Sequence, residues 1–366
     1  MRNPRRPQAR RRFGSLRRTA GSRLLLIAAA ALLAASCAAL DSRPGQASLP
    51  DPYEPDIPAN ADPPVVRLGD GKREIVLIGT IHFVPSELAD RLLELPPALY
   101  ADIDAADLVL VESDLVVLDP IQRLMMALEV TRSLEHADSD RGRPSLKELL
   151  EARPDRAIDT VSLLAGLFGD EHENRAEEIA QLRPWAARMR IGTHLRDDSD
   201  VDWRSGLDDH IARRARKSGV DIEYLERWEE LAELQDRADQ EPYIESVLFT
   251  LGAEIDREVM IRTRSNHALK LVERWSRSQL AGFETTTYEM LGIEIPESVR
   301  RAWREHDSLV FDVRERAWAA RILDRIERDG VRRMVVAVGA AHLIDDRAIL
   351  IELLTEAGFE KTSPVR

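Results

Sequence analysis

The stretch that decides the fold is Glu74–Glu87, whose sequence is EIVLIGTIHFVPSE. Its first five residues, Glu74 to Ile78, are mostly Ile, Val and Leu and predict a short buried strand. Gly79 then interrupts the apolar run, and His82 follows before the turn expected at Pro85. The pattern therefore predicts a histidine that is presented at the end of a strand.

The same arrangement recurs near the other end of the chain. Met334–Val338 has the sequence MVVAV and predicts a second buried strand, and the segment Gly339–His342 follows it directly. A third Gly-x-x-His segment, Gly169–His172, has no strand before it and is predicted to be a surface turn. The two strand-Gly-x-x-His units predict a single site to which both ends of the domain contribute.

Two further strands are predicted between these units, and each ends in carboxylates. Leu108–Val111 leads into Glu112 and Asp114, and Val220–Leu225 leads into Glu226. Helical segments separate the strands, and the middle of the chain is rich in helices. This rhythm predicts an α/β fold with a mixed sheet and helices packed around it, and ligands are expected at the carboxyl ends of the strands.

Helices are predicted from apolar periodicity and from their start and stop signals. The helical segments are Glu87–Ala106 with a break at Pro96, Asp119–Leu134, a segment that starts at Ser145, a segment from Gly206 that Gly219 ends, Pro242–Leu280, Pro296–Arg328 and Asp346–Gly358. Ser145 and Glu148 have the spacing of a capping box, in which each side chain bonds the backbone of the other residue.

The first 36 residues are predicted to be a signal sequence. They contain nine arginines and no acid, and the run Leu24–Ala35 is apolar but short for a membrane span. Ala34-Ala35-Ser36-Cys37 resembles the bacterial lipobox, in which the cysteine is lipidated, although Leu33 stands one place too early. Ordinary cleavage near Ala35 and an uncleaved anchor are the alternatives. We expect an exported lipoprotein that faces the periplasm or the cell surface.

Residues 37–64 are predicted to be an extended tether because seven prolines lie between positions 41 and 64. The segment Val65–Arg366 shows no second linker and is predicted to be one domain. Without the nine arginines of the leader, 43 basic residues face 65 acidic ones, so the remaining chain has a net charge of −22. Such a chain repels phosphate backbones, and nucleic acid is therefore not an expected partner.

Two histidines and one carboxylate at strand ends are a donor set for a divalent metal ion. Imidazole nitrogens and carboxylate oxygens bind such ions, and three ligands leave a position for water. His82, Glu112 and His342 are the predicted ligands, and Glu226 is either a fourth ligand or a general base. The pattern equally fits histidines that bond backbone carbonyls at strand ends without a metal, and spacing alone does not separate the two readings.

Several segments of Val65–Arg366 occur in the order found in the TraB/PrgY/GumN family, which this region resembles. The shared segments are Gly79–His82, the strand that ends at Glu112, Gly206–Asp208, Leu225–Glu226 with Gln235, Arg314 with Trp318, and Val338–Leu343. The resemblance implies a fold similar to erythromycin esterase and the ChaN haem-binding lipoproteins. Similarity to the Tiki proteins also implies a metal-dependent protease that relies on His82, His342 and Glu112.

The sequence departs from the family pattern beside Arg314. The family has an Arg-Asn pair where this chain has Arg314-Glu315, and Tyr224 replaces the glycine of the family's Gly-Leu-Glu turn. An acid beside Arg314 is expected to neutralise a charge meant for substrate. Arg314 is assigned to an oxyanion or a substrate carboxylate, and a salt bridge on the helix surface is the alternative.

The expected function is that of an exported hydrolase that depends on Mn, Co or Zn and cleaves an amide or ester bond in a peptide or small-molecule substrate. Glu226 or Glu112 would handle the proton. Two alternatives stay open, namely a non-catalytic lipoprotein that binds haem or a signalling peptide, and a metal-free hydrolase in which a histidine is the general base. The chain has no Cys-x-x-Cys-His motif, so haem would be bound non-covalently.

Overall fold

The structure is a computed structural model. It describes residues 49–117, 143–153, 159–168, 173–252, 256–279, 287–290, 293–344 and 349–362. The predicted leader with Cys37, the helix predicted at Asp119–Leu134 and the third Gly-x-x-His segment at Gly169–His172 all lie outside these ranges. Within them, no helix has both the length and the apolar character needed to cross a bilayer.

The strands lie mostly at the two ends of the described chain. They are β1 (Val65–Gly69), β2 (Glu74–Thr80), β3 (Phe83–Pro85), β4 (Leu108–Ser113), β5 (Trp203–Ser205), β6 (Asp221–Glu226), β7 (Arg333–Gly339) and β8 (Glu360–Lys361). The four strands predicted from sequence are β2, β4, β6 and β7, and their observed bounds differ from the predicted ones by at most two residues. The short strands β1, β3, β5 and β8 were not predicted.

Six of the described strands form one sheet in the order β6-β4-β7-β2-β1-β8. Its central strands β6, β4, β7 and β2 are parallel, whereas β1 is antiparallel to both β2 and β8. The sheet is therefore mixed, and the predicted α/β class is confirmed. Because parallel strands end at the same edge, Thr80, Glu112, Glu226 and Gly339 are brought to one side of the sheet.

The helices pack around the sheet and make up most of the middle of the chain. They are α1 (Ala89–Leu92), α2 (Pro97–Asp104), α3 (Asp114–Val117), α4 (Leu146–Glu151), α5 (Thr160–Phe168), α6 (Glu173–Ala180), α7 (Pro184–Asp197), α8 (Leu207–Ser218), α9 (Trp228–Arg237), α10 (Glu241–Gly252), α11 (Arg257–Trp275), α12 (Thr287–Met290), α13 (Glu297–Arg328) and α14 (Leu350–Glu356). The predicted capping box at Ser145 is present, and Gly219 ends α8 with a φ of 75°.

Alternate residues of the central strands point to opposite faces, and helices cover both. Val76, Val109 and Val335 pack in one cluster with residues of α2 and α8. On the other face, residues of β2, β4 and β7 pack in a second cluster with Trp318 and neighbouring residues of α13 and α14. Parallel strands need such cover on both faces because they have no solvent-facing side. A third cluster of buried apolar residues lies between the helices of the middle of the chain.

The proline-rich segment before β1 contacts the domain. Residues 49–64 contain no helix or strand. However, Ile57 and Ala61 are buried in the first core cluster, and the Tyr53 hydroxyl donates to Glu273 of α11 at 2.5 Å. Prolines restrict the backbone but do not prevent the intervening apolar side chains from packing.

Gly206 ties the loop of the first predicted histidine to helix α8. Its N–H donates to the His82 carbonyl at 2.8 Å, and the next N–H, of Leu207, donates to the Ile81 carbonyl at 3.0 Å. A Cβ at position 206 would lie only 1.9 Å from the Ile81 oxygen. Glycine is therefore required here by the close approach of two backbone segments.

We expect Gly206→Ala to displace this loop and to lower the free energy of unfolding by about 3 kcal/mol, the upper range for an overpacked site. Gly166→Ala is the matched control, because Gly166 lies in α5 and nothing is within 4 Å of a Cβ there. The control should gain about 0.5 kcal/mol from helix propensity. Denaturant titration measures both variants, and equal stability of the two would contradict the prediction.

Candidate active site

The first predicted histidine is held by a carboxylate of α8. Nδ1 of His82 lies 3.0 Å from Oδ2 of Asp208, and the Thr80 hydroxyl donates to Oδ1 of the same carboxylate at 2.5 Å. Asp208 is buried, whereas the His82 side chain is 54% exposed. Because Nδ1 is engaged by Asp208, Nε2 faces the site, 3.9 Å from Oε2 of Glu112.

The second predicted histidine is held in the same way, but in the interior. Nδ1 of His342 lies 2.6 Å from Oε1 of Glu315, whose other oxygen accepts the Leu350 N–H at 2.7 Å. The His342 ring stacks on Phe311 with centroids 4.4 Å apart, and Trp318 packs 4.5 Å away. Glu315 and His342 are both buried, so the ring orientation is fixed by packing and by a hydrogen bond together.

Glu112 lies between the two histidines at the end of β4. Its Oε2 accepts the Gly339 N–H at 2.8 Å, and its Oε1 accepts from Arg314 at 2.5 Å. A Cβ built on Gly339 would lie 3.3 Å from Glu112 Oε2, 3.5 Å from His82 Nε2 and 3.7 Å from His342 Cδ2. The three predicted metal ligands therefore surround one point, which stays open because residue 339 has no side chain.

Arg314 of α13 connects two buried carboxylates from neighbouring strands. Its guanidinium donates to Glu112 at 2.5 Å and to both oxygens of Glu226, with the shortest contact also 2.5 Å. Trp318 donates to Glu226 at 3.2 Å, and the Arg314 guanidinium lies 4.7 Å from the centroid of the Trp318 ring. The paired side chains are no more than 11% exposed, so the predicted alternative of a surface salt bridge is wrong.

The pKa values of the two glutamates, Glu112 and Glu226, are shifted in opposite directions. Burial would raise the pKa of Glu112, but the positive charges of His82 and Arg314 outweigh it and hold that pKa well below its usual range. Burial raises the pKa of Glu226 above its ordinary value despite the bond from Arg314, since Glu112 adds a repelling charge. One guanidinium is shared by two carboxylates, and Glu226 is the one that takes up a proton more readily.

The pKa of His82 is high for an imidazole. Partial desolvation of the ring lowers its pKa, but the carboxylates of Asp208 and Glu112 more than compensate and raise the pKa of His82 to about 9. The ring therefore carries a proton at neutral pH when no cation competes for Nε2. The pKa of Arg314 is raised as well, because Glu112 and Glu226 outweigh the effect of its burial.

A cleft of about 500 Å³ opens beside His82 and Gly339. The cleft is lined by residues at the ends of β2 and β7 and by residues of helices α7 and α11. This volume lies within the range of about 300–1,000 Å³ that is common for small-molecule sites. The exposed side of His82 thus faces this cleft.

The donor set fits a divalent ion in its chemistry. In both histidines, Nδ1 is hydrogen-bonded to a buried carboxylate. Metal-binding histidines commonly have this arrangement because it fixes the tautomer and the orientation of the ring. As placed, no three of His, Cys, Asp or Glu in the described part of the chain form a group that could hold an ion. Glu112 is shared with Arg314 and Gly339, so an ion would compete with these donors.

The comparison with known families agrees with the positions of these motifs. The model described as the TraB/PrgY/gumN family matches residues 64–363, most of the chain. The chain belongs to the TraB/PrgY/GumN family. The predicted family is confirmed, and its motifs supply His82, Glu112, Glu226, Arg314 and His342 to the edge described above. No curated protein and no solved structure matches the chain, so the implied likeness to erythromycin esterase and ChaN is not confirmed.

Two residues of this family member were not predicted to act at the site. Asp208 belongs to the family segment Gly206–Asp208 but had no predicted role, and Glu315 was expected to neutralise Arg314. Glu315 instead bonds His342, and the charge of Arg314 is balanced by Glu112 and Glu226. Adjacent residues of a helix point about 100° apart, so 314 and 315 serve different partners. The spacing of Phe311, Arg314, Glu315 and Trp318 at i, i+3, i+4 and i+7 was the available signal.

We expect Arg314→Ala to destabilise the domain by about 3–5 kcal/mol, because it leaves two buried carboxylates without their cation. Arg316→Ala is the matched control, since Arg316 is an exposed arginine two residues further along the same helix. The control should stay within about 0.5 kcal/mol of the wild type. Urea unfolding followed by circular dichroism measures both variants, and a loss below about 1 kcal/mol for Arg314→Ala would sink the prediction.

Proposed function

We propose that this member of the TraB/PrgY/GumN family is a hydrolase that uses a divalent metal ion, Mn, Co or Zn, to cleave an amide or ester bond. The observation that carries the proposal is the convergence of His82, Glu112 and His342 on one open point beside Gly339, at the end of a cleft. Histidines that merely bond backbone carbonyls do not account for this geometry, since both Nδ1 atoms bond carboxylates instead.

The chain's own residues prepare the site for such chemistry. Asp208 and Glu315 hold the two imidazoles by Nδ1 and so turn Nε2 of His82 and the ring of His342 towards Glu112. Glu112 stays ionised because of its lowered pKa, which suits an anionic ligand. A bound divalent ion supplies a Lewis acid that polarises the scissile carbonyl and makes water more acidic.

Glu226 is the better candidate for holding and releasing a proton. Paired carboxylates whose surroundings push their pKa values apart commonly divide acid-base roles between them, and the raised pKa belongs to Glu226. Arg314 bonds both carboxylates and is thereby occupied. We therefore assign it to positioning Glu112 and Glu226, and no longer to the oxyanion or to a substrate carboxylate.

The protein purified without chelator should contain close to one equivalent of Mn, Co or Zn and should cleave a peptide library. His82→Ala, His342→Ala and Glu112→Ala should each lose both the metal and the cleavage. His194→Ala is the matched control, because His194 lies in α7 against Phe168, outside the proposed ligand set. Elemental analysis and mass spectrometry of the products are the two measurements.

The pH dependence adds an independent check on the ligand. A metal ion must displace the proton of His82, so metal affinity should rise as pH increases towards about 9 and then level off. Unchanged metal content and unchanged cleavage in His82→Ala would overturn the proposal. Cleavage that His82→Ala abolishes but chelators do not affect would favour the metal-free hydrolase. Saturable binding of haem or a peptide without turnover would favour the binding protein.

We propose further that the protein is exported and anchored to the membrane by a lipid on Cys37. The basic leader, the apolar run after it and the lipobox-like Ala34–Cys37 support this proposal. Cys37→Ser should abolish a lipid mass on the mature N-terminus and release the protein from the membrane fraction. Ser36→Ala, which keeps the thiol, should retain both. A mature protein with an unmodified Cys37 would rule the lipid anchor out.

A further inference from the structure

The cleft beside His82 combines an apolar lining with positive charge. Its apolar side chains include Ile81, Phe83, Met189, Trp203, Leu271 and Val272. Apart from His82, its charged side chains are Arg196 and Arg264, and no Asp or Glu of the described chain is among the residues that line it. This is unexpected in a protein with 65 acidic and 52 basic residues. The cleft is therefore suited to an anion that carries an apolar group.

Two helices each present one face to this cleft. Met189, Gly192 and Arg196 of α7 and Arg264, Ala268 and Leu271 of α11 follow helical spacing. Gly192 lies in the interior of α7, where glycine costs about 0.5–1 kcal/mol relative to alanine. A Cβ there would be 3.5 Å from Nη2 of Arg264, so the missing side chain leaves the cleft open beside this guanidinium.

Arg196 packs on the residue that follows the first histidine. Its guanidinium is 4.2 Å from the centroid of the Phe83 ring, and Phe83 directly follows His82. Arg196 also bonds Asp197 at 3.0 Å, but Asp197 is 56% exposed, and pairs of this kind contribute little. A guanidinium has five N–H donors, so Arg196 can donate to a second carboxylate.

The neighbouring surface shows the opposite charge. A second cleft of about 410 Å³ shares Phe83, Arg196 and Trp203 with the first, but its other lining residues include Asp197, Asp200 and Asp202. An anion is repelled there, whereas the first cleft offers cations and apolar side chains. The acidic surface therefore begins beyond Phe83 and Trp203, and positive charge lies on the side of the cleft that contains Arg264.

We propose that the cleft recognises a free carboxylate attached to an apolar residue, as found at the C-terminus of a peptide. Arg196 and Arg264 bind the carboxylate, and Phe83, Met189 and Leu271 contact the apolar side chain. The assignment of this end group to a substrate rests on the proposed function. Arg314 is bonded to Glu112 and Glu226, whereas Arg196 and Arg264 line the cleft together with His82.

The test is calorimetric titration of the full-length protein after metal removal, so that binding is measured without turnover. The probes are N-acetyl-leucine, N-acetyl-leucinamide and acetate, which separate the charge from the apolar group. N-acetyl-leucine should bind at least about tenfold more tightly than the amide, the effect of one hydrogen bond to a charged group. It should also bind at least about tenfold more tightly than acetate, which lacks the apolar side chain.

Variants locate the binding groups. Arg196→Gln and Arg264→Gln should each remove most of the preference for acid over amide. Arg262→Gln is the matched control, because Arg262 lies two residues before Arg264 on the same helix, pairs with Asp200 and does not line the cleft. Its affinity for N-acetyl-leucine should change less than about twofold, the typical range for surface substitutions. Thermal unfolding of each variant confirms that it is folded.

Equal affinity of the wild-type protein for the acid and the amide would overturn the proposal, and this result does not depend on any variant. A preference that survives both Arg196→Gln and Arg264→Gln would overturn it as well. The hydrolase proposal fails separately, through absence of metal-dependent cleavage. Selective binding of N-acetyl-leucine in a protein that cleaves nothing would still support recognition of the carboxylate.

Discussion

The site depends on one cation that is shared by two buried carboxylates. Arg314 reaches from α13 to Glu112 at the end of β4 and to Glu226 at the end of β6. Each of the three charges would be costly to bury alone, and they are tolerated because they neutralise one another and Trp318 donates one more hydrogen bond to Glu226. Since Glu112 also bonds Gly339 at the end of β7, this network fixes the ends of three strands relative to one helix.

The two histidines share a second feature, which is a carboxylate at Nδ1, but differ in their access to solvent. The His82 side chain is 54% exposed, and the His342 side chain is 4% exposed. Packing against Phe311 and Trp318 therefore fixes His342, whereas His82 is held mainly by Asp208 and faces the cleft. The site has a rigid inner side and an open outer side, which is the arrangement expected where a ligand enters from one direction.

The helical middle of the chain forms much of the cleft beside His82. Helices α7 and α11 supply most of its lining, although they lie far in sequence from both Gly-x-x-His motifs. Their buried apolar residues pack in the core, whereas another face of each helix lines the cleft. Differences in these helices between proteins with the same strand-end motifs would change the ligand while leaving the histidines and glutamates in place.

The four central strands, the mixed α/β class, the family and the residues that end the strands were all predicted correctly from the amino-acid pattern. This was possible because buried parallel strands are continuous apolar runs, and because their carboxyl ends necessarily meet at one edge. Only the tertiary structure decided the partners of those residues. Asp208 and Glu315 come from helices whose rotation is set by packing, and neither the bond from Glu315 to His342 nor the use of Arg314 by two glutamates follows from spacing. The cleft, which no Asp or Glu of the described residues lines, likewise depends on how two distant helices pack, which local sequence does not encode.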